Sequence, residues 1–484
     1  MRFHPVLLLS LALCLPGRAE DLPLRTAVDR ALVASHELAA GQAELNRLAA
    51  ERKSAFSLYL PRVNLSTTYS RLNDPIELDL DPLRSLLIAL QTDARLADLD
   101  LGTLIARGTP LTAQEKALYG KSIGNALSQS IPSLNMHVLD ADLFRSELEV
   151  IQPVWIGGKQ QAANRAARLN RQVGDESMRL SRDQVMESTI RLYLLCQMTE
   201  EAVRVSREVE EGISRHEAQA RSLAAAGLIA RYQLLRAQVA LADAKKNRLT
   251  AEENRAAARS MLALALKSGK ADDLALTTPL RRPEFTSSLD EVVAKVKERN
   301  LLLKTIAIQR DLAATKRRAD RADYLPQLFL FGRFHLLTKD LSVLDPHWTV
   351  GAQLRLNLFS GGEKLFKMKA DSALVREVEE KGREASDKLE KACDGLYHQA
   401  QVQRHLLDSF PVRLADAEEN ARLAESRFSS GLGISLEVVD ANLLLEKVKM
   451  ERLSALYNYN MVLLQLKLLQ QDVDSWIGKL EEAS

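Results

Sequence analysis

The sequence predicts a mainly α-helical protein built twice from one plan, with a smaller β portion whose four short strands belong in a membrane β-barrel. Three observations predict this. A short alternating segment runs into a Gly-Gly pair and then into a very long helix-forming stretch at Gly361-Gly362, and the same order occurs 204 residues earlier at Gly157-Gly158. The stretches after both pairs continue for roughly 70 residues rich in Ala, Leu, Glu, Lys and Arg, far beyond an ordinary globular helix. Four segments of strand length alternate apolar and polar residues, as the lipid-facing and lumen-facing positions of a barrel strand must.

A repeat at fixed spacing governs every later reading. Net charge is +2 with 27% charged residues, so no basic excess points to nucleic acid. The three cysteines, Cys14, Cys196 and Cys393, do not correspond under the repeat offset, and no structural disulfide is expected. Residues 1–19 read as a signal peptide: Arg2 is the basic start, 6–15 the apolar run, and Gly17-Arg18-Ala19 the cleavage site. That run is too short to span a bilayer as a helix, and no other segment offers roughly 18 uncharged apolar residues. Leu13 precedes Cys14 where a lipoprotein signal has a small residue.

The first repeat covers 20–270. Residues 22–59 carry Leu24, Ala27, Val28, Ala31 and Leu32 at helical spacing, and Tyr59-Leu60-Pro61 stops the helix. A strand follows, with Val63, Leu65, Thr67 and Tyr69 on one face and Asn64, Ser66, Thr68 and Ser70 on the other. An inserted loop with some helix occupies about 73–136. The second strand sets Ser146, Leu148, Val150 and Val154 against Arg145, Glu147 and Glu149, with Gln152 interrupting the apolar face. After Gly157-Gly158 a helix runs to the break at Gly227-Leu228; at 1.5 Å per residue it reaches roughly 100 Å. A return helix occupies 231–267, and 271–287, with Pro279 and Pro283, connects to the second repeat.

The second repeat covers 288–470. Its first helix, 289–323, ends at Tyr324-Leu325-Pro326, and Pro326 lies 265 residues after Pro61. One strand sets Leu328, Leu330 and Phe334 against Arg333 and His335. The next sets Val350, Ala352, Leu354, Leu356 and Leu358 against Thr349, Gly351, Gln353, Arg355 and Asn357. The difference between the two offsets leaves 61 extra residues between the paired strands of the first repeat. The second long helix should kink at Pro411 and ends at Gly431-Leu432-Gly433, with a return over 434–470. The tail 471–484 is expected to fray.

Four strands cannot close a barrel, and an open edge in lipid leaves backbone groups unpaired at a cost of several kcal/mol each. Two chains give eight strands, whose interior side chains fill. Three chains give twelve, enough for a water-filled pore, so closure and an open lumen together predict a homotrimer.

Several segments carry a family resemblance. Arg427-Phe428-Ser429-Ser430-Gly431, then Leu436-Glu437-Val438-Val439-Asp440-Ala441, Leu443-Leu444-Leu445 and Tyr457-Asn458-Tyr459 resemble the second-repeat signature of TolC-like outer-membrane factors. Gly227-Leu228-Ile229-Ala230 with Leu234-Leu235-Arg236-Ala237-Gln238 is similar to the first-repeat equivalent. The Gly-Gly joints (Gly157, Gly158, Gly361, Gly362) and the Leu-Pro boundaries (Pro61, Pro326) match as well. Apart from the insertion, the resemblance covers nearly the whole mature chain.

The resemblance implies a trimer in the outer membrane of a Gram-negative bacterium: a twelve-stranded β-barrel in outer-membrane lipid, continued by long helical hairpins as an α-helical barrel across the periplasm. It implies an exit duct of a tripartite efflux pump or type I secretion system, with a periplasmic adaptor (membrane fusion) protein and an inner-membrane transporter as partners. The connector 271–287 and the tail sit at the equator of the helical barrel. The turns Gly227, Leu228, Ile229, Ala230 and Gly431, Leu432, Gly433, Ile434 form the periplasmic tip for adaptor docking, exposing Leu228, Ile229, Leu432 and Ile434. Glu437 and Asp440, three residues apart on one helix face, line the periplasmic gate. Gly433 stands where a tip arginine helps lock the closed state in the family, and Gln233 replaces an acidic partner, so the lock is either weaker here or uses another residue, with nearby Arg231 a candidate. No catalytic, cofactor-binding or metal residues are expected. The eight histidines show no metal or catalytic spacing, and Gly157-Gly158-Lys159 lacks the pattern of a phosphate loop. The second reading is a soluble periplasmic coiled-coil scaffold or adaptor.

Overall fold

The computed structural model describes residues 20–269, 274–338, 341 and 345–482. The expected leader with Cys14 lies outside the described residues, as does part of the connector. Numbered in chain order, the first elements are β1 (Glu20–Leu22), α1 (Leu24–Ala34), α2 (His36–Phe56), β2 (Arg62–Arg71), β3 (Ile76–Leu78), α3 (Asp81–Arg107), α4 (Ala113–Ser130), β4 (Met136–Leu139) and β5 (Asp142–Ile156). The long helix α5 (Lys159–Ala225) and the return α6 (Arg231–Ala265) follow. Then come β6 (Leu274–Leu276), α7 (Leu289–Arg299), α8 (Leu301–Arg321), β7 (Gln327–His335), β8 (Trp348–Arg355), α9 (Glu363–Ser429), α10 (Ser435–Leu469) and α11 (Val473–Glu482). Both long helices have 67 residues and both returns have 35. The chain divides into a helical unit (up to Ala55, Gln161–Asp320 and from Leu365) and a sheet-bearing unit (Phe56–Gln160 and Arg321–Lys364).

In the helical unit, α6 buries Ala237, Ala244, Ala251 and Ala258, and α10 buries Ala441, Val448, Ala455 and Val462. Each set is spaced by seven, and the two sets correspond residue for residue under the 204-residue offset. Small residues at heptad spacing let helices approach closely along one stripe, and α6 packs against α10. The largest core gathers Leu22, Leu24, Tyr193, Leu262, Tyr459 and Trp476. There the Tyr193 hydroxyl donates to the Leu22 carbonyl (2.8 Å) and accepts from the Thr278 N–H (3.0 Å). It thereby ties β1 to the segment just after its parallel partner β6. Cys196 and Cys393 are free and buried.

Three expectations about helices change. The helix over 22–59 is interrupted at Ser35, whose backbone is extended (ψ 121°) and whose Oγ accepts from Leu38 N–H. The helix over 289–323 is interrupted at Asn300, 265 residues later: its Oδ1 accepts from Leu302 N–H and its Nδ2 donates to the Leu469 carbonyl. In both cases a polar side chain takes over backbone bonds and restarts the helix. The tail does not fray: α11 buries Val473, Trp476, Ile477 and Leu480 in the main core. Pro411 lies inside α9, which continues through it to Ser429.

In the sheet-bearing unit, β2, β5, β7 and β8 form one antiparallel sheet in that order. The outer edges of β2 and β8 have no strand partner among the described residues. Register places Val63, Leu65, Leu148, Val150, Leu328, Leu330, Val350 and Leu354 on one face, and most of these side chains are exposed. Arg62, Asn64, Glu149, Arg333, Gln353 and Arg355 share the other face. A register shift between Pro153 and Trp155 brings Trp155 opposite Leu328, onto the apolar face; such bulges re-aim side chains without ending the strand. The strand β8 stops at Arg355, short of the expected Leu358.

The insertion is more ordered than a loop. It is a helical hairpin, α3 and α4, on the two-stranded ladder β3–β4. Thr112 and Glu115 form a full capping box at the start of α4, and Asp100 on α3 holds both Leu111 N–H and Lys116.

The joints and boundaries follow backbone chemistry. Gly157, Gly158, Gly361 and Gly362 all have positive φ (66°, 93°, 63° and 83°), where an L side chain is strained. A Cβ on Gly157 would also sit 2.6 Å from the Ala322 carbonyl oxygen. Leu60 and Leu325, before Pro61 and Pro326, are extended (ψ 155° and 149°), as a residue preceding proline prefers.

Candidate functional site

The expected site residues at the helical turns all lie in the helical unit. Both long helices end alike. Gly227 (φ 73°) follows α5 and Gly431 (φ 75°) follows α9. Leu228 N–H reaches back to the Leu223 carbonyl (2.8 Å) and Gly227 N–H to Ala224 (3.1 Å). Leu432 N–H likewise reaches Arg427 (2.8 Å) and Gly431 N–H reaches Phe428 (3.0 Å). These paired bonds are the Schellman arrangement, which satisfies the last carbonyls of a helix and requires a left-handed residue at its end.

Leu228 and Leu432 project from the turns at 72% and 75% exposure, and Ile434 is also exposed. Ile229 is not. It is half-buried against a small core of Ala220, Ala237, Ala424, Phe428, Val438 and Ala441, so the exposed apolar set has three members, not four. Ala230 is exposed and precedes the first turn of α6.

Behind the turns sits a polar connection that the sequence reading missed. His216 is fully buried on α5; its Nε2 lies 2.7 Å from the Ser435 hydroxyl, and its ring packs edge-on to Phe428. Its Nδ1 is buried without a hydrogen-bond partner. Ser435, the first residue of α10, gives its N–H to Gln233 Oε1 (3.4 Å). Thus His216, Ser435 and Gln233 link the two hairpins at their ends.

Burial lowers the basicity of His216 below the ordinary imidazole value, because the charged form loses its water. A depressed folded-state value means that its contribution to stability is complete above roughly pH 6.5 and is lost as pH falls through the folded value. Hydrogen exchange of the first turn of α10, corrected for intrinsic rates, should therefore show protection falling as pH drops from 7 to 5. The fall should be smaller in His216→Asn; equal loss in both proteins would exclude the histidine as its source.

Glu437 and Asp440 are both exposed on the first turns of α10. An acid in the first turn also complements the helix dipole, so Glu437 has a structural use whatever else it does. The two carboxylates are not equivalent. Arg427 Nε lies 3.5 Å from Glu437 Oε2, and Arg427 Nη2 donates to the Leu432 carbonyl (3.2 Å). Asp440 has no hydrogen bond or ion pair among the described residues.

Gly433 makes the Arg427–Glu437 pair sterically feasible. A Cβ at 433 would stand 3.1 Å from Arg427 Cβ, Glu437 Oε2 and Phe428 N. Arg231, the candidate substitute for the lock, is exposed and makes no ion pair among the described residues. The signal for Arg427 was present in its place one turn before Gly431, where a basic residue reads first as a partner of the helix C-terminus.

The fold is similar to that of solved outer membrane channels. Residues 292–470 match the outer membrane efflux protein family, and the resemblance to TolC-like outer-membrane factors stands on that match and on the fold. A membrane protein from Pseudomonas aeruginosa superposes with a TM-score of 0.70 at 15% identity, covering 93% of this chain and 90% of that one. The outer membrane protein VceC from Vibrio cholerae gives 0.65 at 15%, covering 92% and 94%. The open-state MtrE outer membrane channel of Neisseria gonorrhoeae gives 0.66 at 14%, covering 92% and 88%. No curated protein matches the chain by sequence. None of the described helices is long and apolar enough to cross a membrane.

Proposed function

We propose that three copies of this chain form an exit duct through the outer membrane of a Gram-negative bacterium. The observation that carries this is the sheet β2-β5-β7-β8: two open edges, an exposed apolar face and a charged opposite face. Three such sheets joined edge to edge make a twelve-stranded barrel without unpaired backbone in lipid. The hairpins α5–α6 and α9–α10 extend the duct into the periplasm as an α-helical barrel. The two halves are copies of one plan, so six hairpins surround one axis.

The duct conducts passively. Substrate arrives from an inner-membrane transporter through a periplasmic adaptor, in a tripartite efflux pump or a type I secretion system. The turns at Gly227–Ala230 and Gly431–Ile434 are the adaptor-docking tips, and Glu437 and Asp440 face the periplasmic gate. The hairpin α3–α4 lies at the extracellular mouth, because it joins the far ends of β2 and β5, whose near ends lead to periplasmic helices.

Purification tests this directly. The protein should need detergent, run at three times the chain mass, show measurable β-content and open conducting pores in planar bilayers. Protease added to intact cells should cut within 74–135. A chain that is soluble without detergent and inactive in bilayers is a periplasmic scaffold instead.

A further inference from the structure

The polar face of the sheet is not a neutral wall. A cavity of about 790 Å³ opens on it, lined by Arg62, Arg333 and Arg355, by Phe329 and Phe331, and by amides including Gln353. Charge there is unevenly matched. Arg333 is shared between Glu147 (3.4 Å) and Glu149 (3.2 Å), and Lys159 is paired with Asp323. Arg62 and Arg355 have no carboxylate partner among the described residues, and Arg355 lies only over the Phe329 ring, 5.9 Å from its centroid.

The two phenylalanines break the strand alternation, since β7 is apolar on both faces over Leu328–Phe331. Phe331 lies across the neighbouring strand. A Cβ on Gly351 would meet its ring carbons at 2.7 and 3.0 Å, so only glycine at 351 lets the ring lie there. Arg333 covers the same ring at 5.5 Å. The wall therefore presents flat aromatic surface beside two guanidinium groups without counter-charge.

We infer that this face is a binding site for organic anions with a flat apolar body. The ring system packs on Phe329 and Phe331, and the acid group is met by Arg62 and Arg355. Guanidinium suits this use because it stays charged, offers planar forked donors to carboxylate or sulfonate, and is weakly hydrated. Aromatic surface adds stacking that tolerates many ring systems. The site itself does not depend on assembly. Its role as a lumenal contact for anionic cargo rests on the duct reading above.

Three probes with one ring system and different charge separate the contributions: 2-naphthalenesulfonate, 2-naphthalenemethanol and 2-naphthylmethylammonium. Calorimetry on the detergent-purified full chain, against a detergent blank, should show the sulfonate binding at least tenfold more tightly than the alcohol, and the ammonium weakest. R62Q/R355Q should bring the sulfonate to the level of the alcohol, and added salt should do so partly. F329L/F331L should weaken sulfonate and alcohol together. Each single arginine change serves if the double variant does not assemble. Sulfonate that binds no better than alcohol, or that is indifferent to both arginines, overturns the site. In bilayers the sulfonate should reduce wild-type current and spare R62Q/R355Q. Binding by calorimetry with no effect on current would keep the site and count against its lying in the conducting path.

Discussion

Exchanging Gly431 for valine, alone or with Gly227→Val, should abolish export while trimers still assemble. Both glycines have φ near +75° and close the paired bonds that end α5 and α9. Neither would place a Cβ within 4 Å of another atom, so the cost is not a clash. It is backbone strain, on the order of 1–2 kcal/mol for an L residue in the left-handed region and more for a β-branched one. Strain at the end of a helix is relieved by moving the turn. That shifts Leu228 and Leu432, the apolar side chains proposed to meet the adaptor. The main core, built around Tyr193, Tyr459 and Trp476, does not include these turns, which is why assembly should survive. Gly431→Asn supplies the control, because asparagine tolerates the left-handed region. The readout is the sensitivity of a deletion strain carrying each variant, scored on a compound to which the deletion itself is sensitive. Normal export in both valine variants would reject the docking role. Equal loss with asparagine would place the defect in side-chain bulk at the tip and not in backbone strain.

The parts of this fold that were legible in the sequence are those fixed by local rules. The four Gly-Gly joint residues need positive φ, the Leu-Pro boundaries force extended backbone, and the strands β2 and β8 alternate at period two. Each signal is complete within a few residues. The break at Asn300 was not legible, because it includes a bond to the Leu469 carbonyl, which is 169 residues away; the break at Ser35 rests on a local bond from Leu38 N–H. The tail and the insertion carried signals that went unread. Val473, Trp476, Ile477 and Leu480 fall on one helical face, and Thr112 with Glu115 is a helix start. At the tip the sequence placed Glu437 and Asp440 on one face but could not rank them. That ranking depends on how far Arg427 reaches across the turn, which depends in turn on the missing side chain at Gly433. His216 gave no signal at all, since a lone histidine in a long helix reads as a surface residue until its neighbours are known.

If Glu437 and Asp440 line the proposed periplasmic gate, E437A/D440A should lower cation preference and remove block by a divalent or trivalent cation. In a trimer the two positions place six carboxylates around one opening, a ring that attracts cations and repels anions. Hard cations of high charge bind where several carboxylate oxygens converge. The Arg427–Glu437 pair makes a finer ordering. Both partners are about half exposed, so the pair adds little to stability. Its charge nevertheless cancels much of the Glu437 contribution to the local potential, leaving Asp440 as the dominant acid. D440N should therefore reduce the cation-to-anion permeability ratio several-fold and E437Q only slightly. R427Q should raise the ratio by uncovering Glu437, and that gain should vanish in R427Q/E437Q. Reversal potentials across planar bilayers under a salt gradient, with and without the blocking cation, measure all five proteins against wild type. Equal effects of D440N and E437Q, with R427Q neutral, would show that Arg427 does not shield Glu437. Selectivity and block unchanged in E437A/D440A would remove both carboxylates from the gate.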